Sequence, residues 1–269
     1  MEKRYKVKVV VPIYKPTLSE LYAKSLRNTF EVLGAYPIVL LKPRGMDISN
    51  IVRDLPPFET VEVSDEWIGP KNGVRGYNDM MLSRAFYELF ADTEYILICH
   101  TDAWIFRDEL DAWCDKGYDC TAAPWIRRRV YDLPIIRHFF ALKNRLAARN
   151  GGITKADIYD KIGNGGLSLR RVDAFVAACD RYADKIETFR ANRHHLYNED
   201  VFWAIVPTEF RYPPLDEALA FAFDTNPKYC YRLRNGRLPF GCHSWTKPRM
   251  FRFWRDIIPW QENGDGKDR

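Results

Sequence analysis

A histidine and an aspartate follow a short apolar run in the first half of the chain. Residues 95–99 have the pattern of a buried strand, and His100 and Asp102 come directly after it. In open parallel sheets, ligands bind outside the carboxyl ends of the strands. These two side chains therefore lie at a position where a ligand could bind. A plain capping role for Asp102 in the next turn explains that residue about as well.

A glycine pair lies further along the chain. Residues 163–170 read Gly-Asn-Gly-Gly-Leu-Ser-Leu-Arg, which is typical of a glycine turn that enters a strand. The adjacent Gly165 and Gly166 lack Cβ atoms, which permits close approach to the backbone. A turn without any ligand accounts for the same two glycines.

Two acids and a late histidine complete the set of polar clusters. Glu199 and Asp200 open an apolar helical segment, 201–205, where the helix dipole favours carboxylates in the first turn. His243 lies in the run Pro-Phe-Gly-Cys-His-Ser-Trp. The alternative interpretation of the two acids is that they only stabilise the helix terminus through its dipole. The alternative interpretation of His243 is a packed histidine beside a tryptophan.

In their order along the chain, the four clusters resemble the site of GT-A glycosyltransferases. His100-Thr101-Asp102 resembles the DxD motif, in which a carboxylate binds the divalent metal that bridges the donor diphosphate, although His100 stands where the first aspartate would be. The resemblance implies that Asp102 binds metal and that His100 contacts the ribose or the metal. It also implies that His243 completes the metal site or touches the diphosphate. Imidazole and carboxylate together suit manganese better than calcium, so the expected cofactor is Mn²⁺ or Mg²⁺.

The same resemblance assigns the remaining clusters. Gly165 and Gly166 are similar to the segment that borders the acceptor and donor-sugar pocket. The acids are similar to the pair of inverting enzymes, in which one carboxylate takes the proton of the acceptor hydroxyl. This predicts Asp200 as the base, with Glu199 as the second candidate.

Residues near the amino terminus are expected to hold the nucleotide of a nucleotide-diphosphate sugar. Residues 71–78 resemble the basic entry to the helix that supports nucleotide binding in related transferases, which implicates Arg75 and Asn78. Helix N-terminal amides and a cation both favour an anionic donor. Tyr14, at the end of the first strand, is a possible stacking partner of the base, and an ordinary packed aromatic is an equal explanation.

The elements that must position these residues alternate between strand and helix. Apolar runs indicate strands at 7–13, 37–41, 60–63, 95–99 and 118–122, and helical spacing indicates helices at 18–33, 77–90, 108–113 and 172–182. This alternation predicts an α/β fold with a Rossmann-like, mostly parallel central sheet flanked by helices. The resemblance makes it a single GT-A-like domain, with a nucleotide-binding half over about 1–125, an acceptor-side half over about 126–248 and a basic aromatic tail at 249–269.

Composition limits the function classes. The 269 residues are 46% hydrophobic, enough for a substantial core, and the net charge of +5 comes without an RNA-binding motif, which argues against nucleic acid. Six cysteines without a CxxC pair predict reduced thiols and a cytoplasmic location. No stretch is apolar enough to cross a bilayer, but the basic aromatic segments 137–149 and 249–260 could rest on an anionic membrane from the side, or simply be solvated faces.

The sequence therefore predicts a metal-dependent, inverting glycosyltransferase of bacterial surface polysaccharide synthesis, acting on a glycan or lipid-linked acceptor. The resemblance covers about residues 7–245 and is closest to poorly characterised bacterial glycosyltransferase-like proteins. A protein that binds a sugar nucleotide or glycan without catalysis is the main alternative, because the altered DxD could mark a lost metal site. A nucleotidyltransferase is disfavoured, since the loop after the first strand, Tyr14-Lys15-Pro16-Thr17, lacks glycine. The oligomeric state stays open.

Overall fold

A computed structural model describes residues 3–127 and 152–260, together with the single positions 138 and 141. Within these residues, six strands form one sheet in the order β3-β2-β1-β4-β7-β6. Strands β1 to β4 pair in parallel, whereas β7 is antiparallel to both β4 and β6. Five strands therefore point the same way, which confirms the predicted mostly parallel α/β sheet. The strands of this sheet are β1 (Tyr5–Pro12), β2 (Ile38–Pro43), β3 (Glu59–Val63), β4 (Thr93–Cys99), β6 (Cys120–Ala122) and β7 (Leu167–Arg171).

Helices cover both faces of the sheet. Side chains alternate between the faces along β4: Ile96 and Ile98 join the core on one side, while Leu97 and Cys99 join the core on the other. A strand buried on both faces needs a near-continuous apolar run, and that is the pattern β4 shows in the sequence. The described α-helices are α1 (Glu20–Leu33), α2 (Ser49–Val52), α3 (Gly73–Met81), α4 (Arg84–Glu88), α5 (Leu110–Asp115), α6 (Lys155–Ile158), α7 (Val172–Arg181), α8 (Ala183–Ala191), α9 (Glu199–Ile205), α10 (Leu215–Phe221), α11 (Pro227–Leu233) and α12 (Pro248–Trp254).

A second, smaller sheet brings distant parts of the chain together. It consists of β5 (Trp104–Ile105), β9 (Gly241–Cys242) and β8 (Ala222–Phe223), in that order. Because β8 and β9 run in parallel, the residues that follow them emerge side by side, and the amide of His243 donates to the carbonyl of Phe223 at 2.9 Å. This sheet also fixes the chain just after Asp102, since Trp104 pairs with Cys242.

Several predicted boundaries differ from the structure. The helix expected over 77–90 is two helices, because Ser83 adopts an extended conformation (φ −102°, ψ 129°) between α3 and α4. The helix expected at 108–113 starts two residues later, and the strand expected at 118–122 is confined to β6. The segment 137–149 and the tail beyond residue 260 lie outside the described residues, apart from positions 138 and 141.

Candidate functional site

A cleft of about 580 Å³ opens at the carboxyl ends of β1 and β4. Tyr14 enters it just after β1, and His100 to Asp102 enter it directly after β4, where the amide of His100 donates to the carbonyl of Gly166 at 2.8 Å. The turn before β7, the first turn of α9 and the residues after β9 also line the cleft. The structure brings nine of the ten sequence-predicted site residues to this cleft: Tyr14, Asn78, His100, Asp102, Gly165, Gly166, Glu199, Asp200 and His243.

Three of these side chains are arranged as a possible metal site. One ligand atom each from His100, Asp102 and His243 lies within 4.8 Å of the others. No other group of this kind occurs among residues 3–127 and 152–260. Two imidazoles and one carboxylate, partly shielded from solvent, form a donor set that suits a first-row divalent cation. The donor chemistry thus fits the cation that the sequence predicted.

His243 lies between two carboxylates. Its Nε2 is 3.1 Å from Oδ1 of Asp102, and its Nδ1 is 3.1 Å from Oδ1 of Asp224. Burial alone would lower the pKa of His243, but the two aspartates outweigh burial and raise its pKa to about 9. Burial likewise opposes ionisation of Asp102, yet the neighbouring imidazolium holds the pKa of Asp102 well below its usual range. The imidazolium of His243 therefore places a positive charge between Asp102 and Asp224.

The imidazole of His100 is neutral. Its Nε2 lies 2.8 Å from the hydroxyl of Tyr77 and 3.2 Å from the hydroxyl of Tyr14. Burial, and then the charge of His243, lower the pKa of His100 to about 3. The ring therefore stays unprotonated at physiological pH, as a metal ligand must. Tyr14 also packs edge to face against Tyr77 and His100. Its hydroxyl has a partner in the protein, the Nε2 of His100.

The two acids at the start of α9 have different environments. Glu199 pairs with the guanidinium of Arg170 at 3.0 Å, and both side chains are almost fully buried. Asp200 has one hydrogen-bond donor within the described residues, the amide of Val201 at 2.8 Å. Burial, and then repulsion by Glu199, raise the pKa of Asp200 to about 7. Of the two predicted bases, Asp200 is the one whose carboxylate is not committed to a cation.

The adjacent glycines have a packing role. A Cβ atom built on Gly166 would overlap Nε2 of His243, and one built on Gly165 would overlap the carboxylate of Glu199. Asn164 orders the same turn, because its side-chain oxygen accepts from the amides of Gly166 and Leu167 at 2.9 and 3.1 Å. The close approach predicted from the two glycines is thus made, in this structure, by protein side chains.

Arg75 is the predicted site residue that the structure does not bring to the cleft. Val74, Tyr77 and Asn78 form the face of α3 that lines the cleft, whereas Arg75 and Asp79 lie on the neighbouring face, which lines a separate pocket. Their side chains approach each other to 3.9 Å. Helical periodicity explains the difference, because Arg75 and Asp79 are four residues apart and share one side of the helix.

Sequence reasoning missed several residues of the site, among them Asn164, Arg170, Asp224 and Lys247. Asp224 follows the apolar run Ala-Phe-Ala-Phe, the same strand-then-acid pattern that identified Asp102, and Lys247 lies four residues after His243 and lines the cleft. Asn164 lies between Gly163 and Gly165, and only the glycines of this segment were predicted to belong to the site. Arg170 carries no signal in the sequence, since a single arginine in a strand does not show that it is buried.

The fold is similar to that of several solved glycosyltransferases. The galactosyltransferase LgtC, in complex with donor and acceptor sugar analogs, has a TM-score of 0.54 at 13% identity, with 93% of this chain and 100% of that chain covered. Mouse xyloside xylosyltransferase 1 has a TM-score of 0.50 at 14% identity, covering 89% and 97%. The glycosyltransferase GlyE from Streptococcus pneumoniae TIGR4 has a TM-score of 0.52 at 12% identity, covering 96% and 61%. The protein has the GT-A glycosyltransferase fold.

The family is shown by the sequence. Residues 57–243 match the model described as "Protein of unknown function (DUF5672)", and this chain belongs to that family. The matched region begins before α3 and ends at His243, so it contains nearly all of the cleft. No curated protein matches the chain.

Proposed function

We propose that this protein is a glycosyltransferase that moves a sugar from a nucleoside diphosphate donor to a hydroxyl group of a glycan or lipid-linked acceptor. The observation that carries the proposal is the convergence of His100, Asp102, His243 and Asp200 in one cleft at the carboxyl ends of the parallel strands. That position is where open α/β sheets bind their ligands. The GT-A fold is consistent with the activity but does not by itself assign it.

The donor diphosphate would lie against the three ligands. When bound there, Mn²⁺ or Mg²⁺ would supply positive charge that stabilises the diphosphate as the bond to the sugar breaks. Lys15 and Lys247 line the same cleft, and both are exposed enough to reach an anionic ligand. The ammonium of Lys247 already donates to the hydroxyl of Ser244 at 2.8 Å, which holds it beside His243.

Asp200 would take the proton of the acceptor hydroxyl. A carboxylate with a pKa near 7 accepts a proton well at neutral pH and can release it again after each turnover. Glu199 would serve instead to hold Arg170 and the start of α9 in place. A base on the side opposite the leaving group produces inversion, and the coupling constant of the anomeric proton in the product tests this directly. Retention of configuration would contradict this position for the base.

The decisive experiment is nucleotide binding followed by turnover. Calorimetric titration of the whole protein with UDP and GDP, with and without Mn²⁺, measures donor recognition, and release of nucleoside diphosphate from UDP- and GDP-sugars measures transfer. Asp102→Asn should weaken the Mn²⁺-dependent binding about tenfold or more, because it removes the only carboxylate of the metal set. Asp108→Asn is the matched control, since exposed Asp108 accepts a hydrogen bond from Tyr36 and neither residue lines the cleft. Equal turnover by Asp102→Asn and the wild type would refute the metal role.

Binding without catalysis is the second candidate function. It is favoured by two observations: Asp102 is already paired with His243, and a histidine replaces the first aspartate of the DxD pattern. In that case the cleft would bind the nucleotide sugar and release it unchanged. Nucleotide binding together with no release of nucleoside diphosphate, over a panel of donors and acceptors, would support this reading and exclude the transferase.

The setting proposed from the sequence is bacterial surface polysaccharide synthesis in the cytoplasm. All six cysteines are free and buried, which is consistent with a reducing compartment. No helix within residues 3–127 or 152–260 is both long and apolar enough to span a bilayer. The basic face formed by α11 and α12, with Lys228, Arg232 and Arg252 exposed, would provide peripheral contact with an anionic membrane.

A further inference from the structure

A second pocket of about 440 Å³ adjoins the cleft. Its walls are α3, the end of α8 and the segment 192–198. Val74, Asn78 and Asn198 line both cavities, so the pocket and the cleft share one wall. The amide of Asn78 donates to the side-chain oxygen of Asn198 at 3.0 Å, and its own oxygen accepts from the backbone amide of Glu199 at 3.1 Å. The pocket therefore ends two residues from Asp200, the base in the proposed function.

The pocket is strongly basic. Lys71, Arg75, Arg190 and Arg193 line it, against one lining carboxylate, Asp79. Asp79 is shared, because it lies 3.9 Å from Arg75 and 3.8 Å from Arg190. Two of the cations also have partners at the surface: Lys71 lies 3.3 Å from Glu66 and Arg190 lies 2.7 Å from Glu187.

Two donor groups of the pocket lack acceptors. Within residues 3–127 and 152–260, no carboxylate lies within 4.0 Å of the Arg193 guanidinium, and the buried Nε of Arg190 makes no hydrogen bond, although it lies 3.8 Å from Oδ1 of Asp79. Buried donors are normally paired, so an unpaired one beside a cavity indicates that a ligand or water completes it. An anion is the ligand that this charge distribution favours.

The other lining groups favour a carbohydrate. Asn72, Asn78, Asn192 and Asn198 place four side-chain amides around the pocket, and Tyr197 adds an aromatic ring. Amides can both donate to and accept from hydroxyl groups, which is what a sugar requires. Some of these amide groups already bond within the protein, namely both groups of Asn78 and the Nδ2 of Asn72, which donates to the carbonyl of Glu66. A bare phosphate would use only the cations.

We propose that this pocket binds the acceptor, and that the acceptor is an anionic glycan whose carboxylate or phosphate group is held by Arg193 and Arg75. The proposal rests on the proposed transferase function, because it gives the pocket its purpose: to hold the part of the acceptor that extends away from the attacked hydroxyl near Asp200. The donor occupies the cleft, and the acceptor reaches it across the shared wall at Asn78 and Asn198.

The test measures calorimetric binding of three probes to the whole protein without nucleotide or metal. The probes are a trisaccharide of galacturonic acid, the same trisaccharide with every carboxylate methyl-esterified, and maltotriose carrying a phosphate. We expect at least one anionic probe to bind, and the neutral ester to bind about tenfold more weakly or not at all, since charge-assisted hydrogen bonds are lost. The anionic probe that binds identifies carboxylate or phosphate as the recognised group.

Substitution locates the site. Arg193→Gln and Arg75→Gln should each weaken binding of the anionic probe about tenfold. Arg53→Gln is the matched control, because Arg53 is an exposed arginine directly after α2 that lines neither cavity. Binding of nucleoside diphosphate with Mn²⁺ should be unchanged in all three variants, because none of these arginines lines the cleft.

Three results would overturn the proposal: no binding of either anionic probe at millimolar concentration, equal affinity for the ester, or equal affinity in Arg193→Gln and Arg53→Gln. Failure of the proposed function has a different signature. The wild-type protein would then bind no nucleoside diphosphate, whereas the anionic probe would still bind in a manner that depends on Arg193.

Discussion

The contrast between Glu199 and Asp200 gives the sharpest test of the site. The Glu199 side chain is 3% exposed and the Arg170 side chain 2%, with 3.0 Å between the charged atoms. Glu199→Gln keeps the shape of the side chain but leaves the guanidinium buried without a counter-ion. Removing one partner of a buried ion pair costs about 3–5 kcal/mol.

The lower end of that range applies here. Arg170 also donates to the hydroxyl of Tyr87 at 2.9 Å and to the hydroxyl of Ser168 at 3.0 Å, and both bonds survive the substitution. We therefore expect the free energy of unfolding to fall by about 3 kcal/mol. For a domain of this size that corresponds to a melting temperature roughly 10 °C lower.

Asp200→Asn should behave in the opposite way. Burial and Glu199 already disfavour the charge of Asp200, so removing that charge should leave the free energy of unfolding within about 1 kcal/mol of the wild type, or raise it. Turnover should nevertheless be lost, because the base is gone. Glu199→Gln should thus lower stability and Asp200→Asn should lower activity.

The assay is urea-induced unfolding followed by tryptophan fluorescence, with release of nucleoside diphosphate measured on the same preparations. A double variant, Arg170→Met with Glu199→Leu, is the control, and it should recover much of the lost stability because no isolated charge remains. The reasoning is refuted if Glu199→Gln unfolds within 1 kcal/mol of the wild type, or if Asp200→Asn is the less stable of the two single variants, a difference that fluorescence resolves at this magnitude.

Three further predictions follow from the same geometry. Gly166→Ala should weaken Mn²⁺-dependent nucleotide binding about tenfold, because the new methyl group overlaps Nε2 of His243; calorimetry measures this, and Gly45→Ala, which strains a left-handed turn (φ 74°) but contacts nothing, controls for a general loss of stability. If Asp200 is the base, kcat/KM should rise with pH up to about 7 and then level off, since the carboxylate must be deprotonated to accept a proton; a profile that stays flat between pH 5.5 and 8 would exclude that role. The protein should co-sediment with anionic liposomes at low salt and be released by about 0.5 M salt, with Arg249→Gln combined with Arg252→Gln reducing the bound fraction; absence of binding at low salt would eliminate the membrane contact.

Periodicity predicted the elements more reliably than their ends. Strands β1, β2 and β4 are long enough and sufficiently apolar that their runs had one interpretation, and the alternation with helices indicated the sheet. The break between α3 and α4 was not predicted, because Leu82 and Ser83 continue an acceptable helical pattern. In the structure Ser83 is the N-cap of α4, a position at which the backbone is extended and serine is favoured.

For the candidate site, too, the sequence predicted some properties and the folded structure decided others. Residue types and their order were sufficient to select His100, Asp102, Glu199, Asp200 and His243, because carboxylates and imidazoles at the ends of apolar runs are visible in a linear sequence. Residue types and their order were not sufficient to predict the protonation states of these side chains. The charge on His243, the neutrality of His100 and the free carboxylate of Asp200 depend on which groups lie within about 4 Å, and those contacts join residues far apart in the chain.

Sequence alone thus determined the α/β class and predicted nine of the residues that line the cleft. The tertiary structure decided which groups each of these residues contacts. It pairs Glu199 with Arg170, places Asp224 beside His243, and places Arg75 in a second pocket instead of the cleft. The physical reason is that periodicity follows from local backbone geometry, whereas ionisation and pairing depend on distance and burial, which only the folded chain establishes.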